Sequence, residues 1–218
     1  MELKTLVVSY YKTNCYVLFD PDTKDGVVID PGGDVRKILS VLEEEQLQLR
    51  AILLTHGHYD HYGAMWPLYE QKNVPVYCNE KDTDPFVSRP PRRLVPPPGT
   101  RFINGGEEIR AGSVHLQVLS CPGHTPGGMV YLCGDMLFSG DTLFRRGCGR
   151  IDLPGGDSEC MLTSLEKLRQ LQGDYQVYPG HGGTTTLKQE CRLNPYLQPG
   201  IVFELPNDLE EDGWPVQP

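Results

Sequence analysis

The sequence has 218 residues, of which 39% are hydrophobic and 22% are charged, and its formal net charge at pH 7 is −9. This length favours one domain over residues 1–218, which can bury a large core without disulfide bridges. The acidic charge argues against a nucleic-acid partner, and the lack of any apolar run of about 18 residues argues against a membrane span.

Strands and helices alternate in the first third of the chain. Short, β-branched stretches predict strands at residues 3–8, 15–19, 26–30, 51–54 and 74–77. Apolar side chains at helical spacing predict a helix over residues 34–47, with Asp34 as its N-cap, and a shorter one over residues 65–71. This order of elements is typical of a mixed α/β fold.

Residues 85–99, PFVSRPPRRLVPPPG, interrupt this alternation. Their proline content excludes the interior of a regular helix or sheet and predicts a surface excursion. Two interpretations remain open. The segment is either a spacer without a role or a flap near the functional site, whose Arg89, Arg92 and Arg93 contact an anionic substrate.

The second half of the chain returns to strands and ends in two helices. Strands are predicted at residues 107–110, 114–119, 129–133, 135–139 and 175–178, and alternation along the second of them turns His115 towards solvent. A helix is expected over residues 158–173, with Ser158 near its start and Gly173 as its C-cap. A last helix near residues 186–193 opens with a Thr186/Gln189 capping box, and an irregular, Pro-rich tail follows from about residue 195.

The segment THGHYDH (55–61) concentrates three of the six histidines of the chain beside an aspartate. Further residues of the same chemical types follow other predicted strands after a glycine or proline, namely His124 in CPGHTPGG, Asp141 in SGDT and His181 in YPGHGG. If these strands lie side by side in packed sheets, their ends converge at one edge. Imidazoles and carboxylates together suit zinc or a similar metal, so the pattern predicts a metal site there.

These motifs, THGHYDH, CPGHTPGG, SGDTLF and YPGHGG, resemble the ordered motifs of the metallo-β-lactamase superfamily. Within it, GDTLFRRGCGRIDLPGGD (140–157) resembles the glyoxalase II type, the hydroxyacylglutathione hydrolases, and particularly their short bacterial relatives. The resemblance implies a four-layer αββα sandwich, with the metal site along one edge of the two packed sheets.

The resemblance also implies a role for each ligand-type residue. His56, His58 and His124 (the first triad) would hold one divalent metal ion, and Asp60, His61 and His181 (the second triad) would hold another. Asp141 would bridge the two ions, for which zinc is expected and iron or manganese remain alternatives. Asp30, in VIDPGG, is either an acceptor for a ligand imidazole or a turn-forming residue before Pro31.

A pair of metals implies hydrolysis by a hydroxide held between them, which attacks the carbonyl carbon of a small-molecule thioester. Asp60, His58 and Asp141 are the expected catalytic residues, with Asp60 also orienting the hydroxide. In the glyoxalase II type, the basic residue at the position of Arg150 helps to bind glutathione. This chain departs from that type with Asp152 in place of a tyrosine, and with an acidic tail where full-length members continue into a basic helical domain.

Other reactions of the same fold remain alternatives. A persulfide dioxygenase uses a single iron on some of these ligands, and other ester or lactone hydrolases and β-lactamases are further candidates. A purely structural metal is disfavoured because no cysteines stand at the spacing of a closed zinc site. The seven scattered cysteines, without any CxxC pair, favour a reducing cytoplasm. The oligomeric state is not encoded in any pattern that we identify.

Overall fold

Two six-stranded β-sheets lie at the centre of the computed structural model, which describes residues 1–87, 92–198 and 200–201. The first sheet has the order β1-β2-β3-β4-β5-β6. Its strands are β1 (Glu2–Val8), β2 (Thr13–Phe19), β3 (Asp25–Ile29), β4 (Gln48–Leu53), β5 (Val76–Cys78) and β6 (Arg101–Phe102). The first three strands pair antiparallel, whereas β3 to β6 run parallel.

The second sheet is mostly antiparallel, with β10 and β13 as its parallel pair. Its strands are β7 (Glu108–Ala111), β8 (Val114–Ser120), β9 (Met129–Cys133), β10 (Met136–Gly140), β13 (Gln176–Pro179) and β14 (Thr185–Thr186). They are arranged in the order β14-β13-β10-β9-β8-β7. A short hairpin of β11 (Leu143–Phe144) and β12 (Gly147–Cys148) lies outside both sheets.

Helices cover the outer face of each sheet. The α-helices of the described residues are α1 (Val35–Glu44), α2 (Tyr59–Tyr62), α3 (Met65–Lys72), α4 (Ser158–Arg169) and α5 (Leu187–Leu193). Two 3₁₀ turns, Glu80–Thr83 and Pro195–Leu197, complete this part of the chain. The longest helix, α4, has 12 residues, and none of the described helices has the length and apolar character that crossing a membrane requires.

Alternation along the strands produces three separate hydrophobic layers. In β2, Val17 points outwards and packs with α1 and α3, whereas Leu18 points into the space between the sheets. In β9, Tyr131 faces the first sheet while Val130 packs with α4 and α5. The layers therefore follow the order helix, sheet, sheet, helix, and the predicted αββα sandwich is confirmed.

Some helix ends differ from the prediction. Asp34 occupies the N-cap position of α1, but its side chain makes no capping bond; it accepts from the Ser9 amide and from Lys37 instead. Ser158 is the first residue of α4, as predicted, and Asp157 caps the helix by accepting from the Cys160 amide; the predicted C-cap Gly173 is wrong, because α4 ends at Arg169. In α5, Thr186 does cap the helix as predicted.

Two predicted features fall partly outside the described residues. Arg89 belongs to residues 88–91, and most of the tail belongs to residues 199 and 202–218, which the structure does not describe. Within the described part of the tail, Pro195–Leu197 forms a 3₁₀ turn.

The fold brings the ends of several strands to one edge of the sandwich. His56 follows β4, His124 follows β8, Asp141 follows β10 and His181 follows β13. The two sheets are tied together at this edge by a β-bridge between Thr13 and His181, and the Asn14 amide donates to the Gly180 carbonyl at 2.7 Å. The candidate site therefore lies on residues from both sheets.

Candidate metal centre

The first triad forms a close group of three imidazoles. His56 Nε2 lies 3.1 Å from His58 Nδ1, and His58 Nδ1 lies 2.8 Å from His124 Nε2. His56 and His124 are buried, whereas His58 is partly exposed. The nitrogens that face one another are therefore the ones that a shared metal ion would require.

The second triad converges in the same way. His61 Nε2 lies 3.3 Å from His181 Nε2, and Asp60 Oδ2 lies 3.6 Å and 3.2 Å from these two nitrogens. His61 is fully buried, while Asp60 and His181 retain some exposure. The triad thus has its two imidazoles and its carboxylate turned towards one point.

Asp141 lies between the two triads. Its Oδ1 is 3.4 Å from His61 Nε2, and its Oδ2 is 3.5 Å from His124 Nε2 and 3.6 Å from His181 Nε2. The carboxylate therefore faces ligands of both triads, as a bridging residue would.

These distances fit divalent metal ions. Around a tetrahedral zinc ion with ligands at about 2.0–2.1 Å, neighbouring ligand atoms lie about 3.3–3.4 Å apart. The second triad is close to this spacing, and the first is slightly tighter. In addition, Asp141 Oδ1 is buried and makes no hydrogen bond with any of the described residues, which is costly for a carboxylate oxygen unless a cation meets it. The cluster is therefore a candidate metal-binding site, and its donor set and its geometry both fit a divalent ion.

Three of these imidazoles are oriented through their outer nitrogens, and the first is that of His56, whose Nδ1 lies 3.1 Å from the Thr55 hydroxyl. Asp30 accepts from the Thr55 amide at 2.7 Å and hydroxyl at 2.6 Å, and it accepts from His61 Nδ1 at 2.9 Å. His124 Nδ1 donates to the Arg150 carbonyl at 2.7 Å. These bonds leave Nε2 of each ring free to bind a metal. Asp30 also adopts a left-handed φ of 51° before Pro31, so it combines both of the roles considered for it.

The imidazoles of the two triads differ in their pKa values and therefore in their charge. Burial, reinforced by the neighbouring His124, lowers the pKa of His58 to about 3, and burial lowers that of His124 to about 4. Burial also disfavours a charged His61, but the carboxylates of Asp141, Asp30 and Asp60 outweigh it and raise the His61 pKa to about 10. The first triad is thus composed of neutral imidazoles at pH 7, whereas the second lies among carboxylates.

Several residues that the sequence did not single out hold the second triad in place. The Thr13 hydroxyl donates to Asp60 Oδ2 at 3.0 Å. Asn14 Nδ2 donates to the carbonyls of Pro179 and Gly182, at 2.9 Å each, and so fixes the turn that carries His181. These contacts join residues 47 to 168 positions apart, so no local pattern could have revealed them.

Arg150 is already paired in the structure. Its guanidinium forms a two-pronged ion pair with Asp152, with Nε at 2.6 Å from Oδ1 and Nη2 at 2.5 Å from Oδ2. This partner stands at the position where the glyoxalase II type has a tyrosine. The role of Arg150 in binding substrate stays a prediction, while its carbonyl orients His124.

The described part of the Pro-rich segment lies against α2 and α3, close to the second triad. The Tyr62 hydroxyl donates to the Arg92 carbonyl at 2.7 Å, and Trp66 Nε1 donates to the Val95 carbonyl at 2.7 Å. The Arg92 guanidinium donates to the Tyr11 hydroxyl at 2.9 Å and stands 5.1 Å from the ring centre of Tyr59, a neighbour of Asp60 in sequence. Such a position suits the flap interpretation.

Comparison with known proteins agrees with this geometry. The family model of the metallo-β-lactamase superfamily matches residues 10–181. The hydroxyacylglutathione hydrolase GloC of Haemophilus influenzae is 37% identical over 209 residues, covering 90% of this chain and 98% of GloC. The crystal structure of the BLEG-1 B3 metallo-β-lactamase matches with a TM-score of 0.83 at 36% identity, covering 90% of this chain and 99% of that one. TTHA1623 in a di-iron-bound form matches with a TM-score of 0.78 at 35% identity, covering 89% of this chain and 100% of that one. The chain belongs to the metallo-β-lactamase superfamily.

Proposed function

We propose that this metallo-hydrolase cleaves a thioester of the hydroxyacylglutathione type, using two divalent metal ions, with zinc as the expected metal. The observation that carries the proposal is the position of Asp141 between two complete triads. The similarity to GloC supports the choice of thioester. In the overall reaction, water adds to the acyl carbon, the carbon–sulfur bond breaks, and the products are a carboxylic acid and a thiol.

The chain supplies ligands and orientation, and the metals supply the reactive water. When bound, two divalent ions lower the pKa of water to about 7 and polarise the substrate carbonyl. The first triad would hold one ion, the second triad the other, and Asp141 both. Asp60, held by the Thr13 hydroxyl, stands beside His61 and His181 and would orient the attacking water through its carboxylate.

A covalent route through cysteine is not supported. Cys148, in the GCG turn, is partly buried, and burial raises its pKa to about 12. It is therefore a protonated thiol at neutral pH, and thiols react as thiolates. Direct attack by water accounts for hydrolysis without it.

For the leaving group, we propose that Arg150 contacts the carboxylates of glutathione. Asp152 already neutralises its guanidinium, so a glutathione carboxylate must compete with a partner that is bonded at two points. We therefore expect weak selectivity for glutathione and measurable activity on thioesters of other small thiols. The partner in this proposal is a small molecule and not a nucleic acid.

β-Lactam hydrolysis is the second candidate, because BLEG-1, a B3 metallo-β-lactamase, matches nearly its whole length to this chain. It needs the same attack of water on a carbonyl carbon, with a carbon–nitrogen bond broken instead of a carbon–sulfur bond. We rank it second because several β-lactamases of this fold have cysteine or serine at the position of Asp141.

The decisive experiment is a substrate panel on purified protein whose metal content has been measured. We expect about two zinc ions per chain, turnover of S-lactoylglutathione and related thioesters, and loss of turnover in His58→Ala and Asp141→Asn with the fold retained. Rapid hydrolysis of nitrocefin with inert thioesters would support the second candidate. If the protein contained one iron ion per chain and consumed oxygen with glutathione persulfide as substrate, its reaction would be persulfide oxidation and not hydrolysis. Turnover that survives complete removal of the metals would contradict every version of the proposal.

We also propose a cytoplasmic location. All seven cysteines lie among the described residues, and each is a free thiol. Disulfides are typical of oxidising compartments, so seven unpaired cysteines suit a reducing one. Fractionation of the native host, followed by thiol labelling without reductant, tests this: labelling of fewer than seven thiols in the denatured protein would argue against it.

A further inference from the structure

Asp82 is a buried carboxylate that none of the predicted roles uses. It lies in the 3₁₀ turn after β5, and only 1% of its surface is exposed. Its Oδ2 accepts from the Gly57 amide and from the Thr125 hydroxyl, both at 2.8 Å, while Oδ1 accepts from the Gly127 amide at 2.7 Å. All three donors belong to the two loops that carry the first triad.

The positions of these donors are informative. Gly57 stands between His56 and His58, and Thr125 directly follows His124. One carboxylate therefore fastens together the two loops whose imidazoles must meet at a single metal ion. The second triad is held by other residues, since His61 is bonded by Asp30 and Asp60 by Thr13.

Both glycines are required by close approach to Asp82. A Cβ at Gly57 would lie 2.6 Å from Asp82 Cβ, and a Cβ at Gly127 would lie 2.6 Å from Asp82 Cγ. Separations this short are not tolerated between carbon atoms, so a side chain at either position would displace the carboxylate. The loops thus touch Asp82 from two sides, which fixes the distance between them.

Burying the Asp82 carboxylate costs free energy, because the charged group loses its contact with water. Burial disfavours its charged form and raises its pKa, against the effect of its three hydrogen bonds. An apolar residue would fill the same space without that penalty, but it could not accept bonds from both loops at once. The arrangement therefore favours a role in geometry over a role in core packing.

We propose that Asp82 is a positioning residue for the first triad: by bonding Gly57, Thr125 and Gly127, it sets the spacing of His56, His58 and His124. The inference rests on the metal centre of the proposed function, but not on which substrate that centre acts upon. Asp82 does not contact the metal ligands through its carboxylate, and it acts through the backbone of their loops.

The test measures zinc affinity at each triad separately, on metal-stripped full-length protein with a chromophoric chelator as competitor. A His181→Ala background isolates the first triad, and a His58→Ala background isolates the second. We expect Asp82→Asn to lower the zinc affinity of the first triad by about 10- to 100-fold, the usual effect of removing a supporting partner. The zinc affinity of the second triad should not change.

A matched control separates positioning from general stability. Asp25 is also a buried carboxylate that accepts a backbone bond, from the Ser113 amide, and it pairs with Arg50. It begins β3, about 16 Å of strand away from Asp30. Asp25→Asn should lower the melting temperature without changing zinc affinity at either triad. Faster amide hydrogen exchange at Gly57 and Gly127 should appear in Asp82→Asn alone.

Thr125→Val keeps the test decisive if Asp82→Asn does not fold. It removes one of the three bonds without changing side-chain shape, and it should produce a smaller loss in the same direction at the first triad. Equal losses at both triads, or an unchanged first triad in a folded variant, would overturn the inference. If the unaltered chain bound no zinc, the metal centre and both proposals would fail, whereas loss of thioesterase activity alone would leave this inference intact.

Discussion

Asp30→Asn tests how the second triad is oriented. The Asp30 carboxylate accepts from three donors: the Thr55 amide on Oδ1, and the Thr55 hydroxyl and His61 Nδ1 on Oδ2. Asparagine has one carbonyl oxygen and one NH₂ group in their place, so it cannot satisfy all three donors. The substitution preserves shape and removes one acceptor.

Each orientation of the new amide has a definite cost. In the first orientation, the oxygen of the new amide faces the Thr55 amide and its NH₂ group faces His61 Nδ1. His61 Nδ1 must then accept a hydrogen bond, so the ring proton moves to Nε2. That tautomer cannot bind a metal through Nε2. With its oxygen towards His61, the imidazole keeps the correct tautomer, but the Thr55 amide is buried against an NH₂ group. Leaving such a donor unsatisfied costs about 1–3 kcal/mol.

Binding zinc requires the second orientation, so the free energy by which the metal-free variant prefers the first orientation is subtracted from the binding free energy. A cost of about 1–3 kcal/mol corresponds to a loss of roughly 5- to 150-fold in zinc affinity at the second triad. The assay is chelator competition in the His58→Ala background, with circular dichroism to show that the fold is retained. Unchanged affinity in a folded variant, or a loss confined to the first triad, would refute the proposed orientation of His61.

Three further predictions follow from the same geometry. Zinc binding to the second triad should release about one proton near pH 8, because His61, with a pKa of about 10, is protonated there and must lose its Nε2 proton to bind. Zinc binding to the first triad, where the pKa of His58 is about 3, should release none. Calorimetry in buffers of different ionisation enthalpy measures the number of protons released in each case. Cys148→Ser should leave thioester hydrolysis unchanged, and abolished turnover with intact metal content would restore a covalent route. Arg92→Gln should raise KM for an anionic thioester by up to about fivefold but should leave KM for a neutral one unchanged. Arg93→Gln is the matched control, because the Arg93 side chain bonds the Thr83 carbonyl instead. Equal effects of the two substitutions on KM would favour the spacer interpretation.

The sequence predicted which residues come together at the candidate site, because each is placed by local structure. His56, His124, Asp141 and His181 each stand at or shortly after the end of a strand, and strand ends meet at a sheet edge whatever the detailed packing. The alternation of apolar residues that marked those strands also determines the layers of the sandwich. Both signals depend on residues that are near one another in the chain.

Helix caps and supporting contacts were less predictable, because long-range partners compete with local ones. Asp34 is a good N-cap by type, but its carboxylate bonds the Ser9 amide, 25 residues away, with its backbone at a φ of 50°. Asp82 and Thr125 are 43 positions apart, and neither stands in a motif that indicates a partnership. A side chain whose partner is chosen by tertiary structure has no signature in its own segment.

The two proposed metal positions would be held by different physical means. Three carboxylates act on His61 in the second triad, so a cation there is favoured mainly by charge. The first triad consists of neutral imidazoles and shares only Asp141, so its affinity depends more on how well three nitrogens are aligned. Hydrogen bonds between loops provide this alignment, and Asp82 makes such bonds to the loops of the first triad and not to those of the second. Acid should therefore weaken the second position first, because His61, with a pKa of about 10, is already protonated at neutral pH, while the first position loses affinity only at a lower pH, where His58 and His124, with pKa values of about 3 and 4, take up protons.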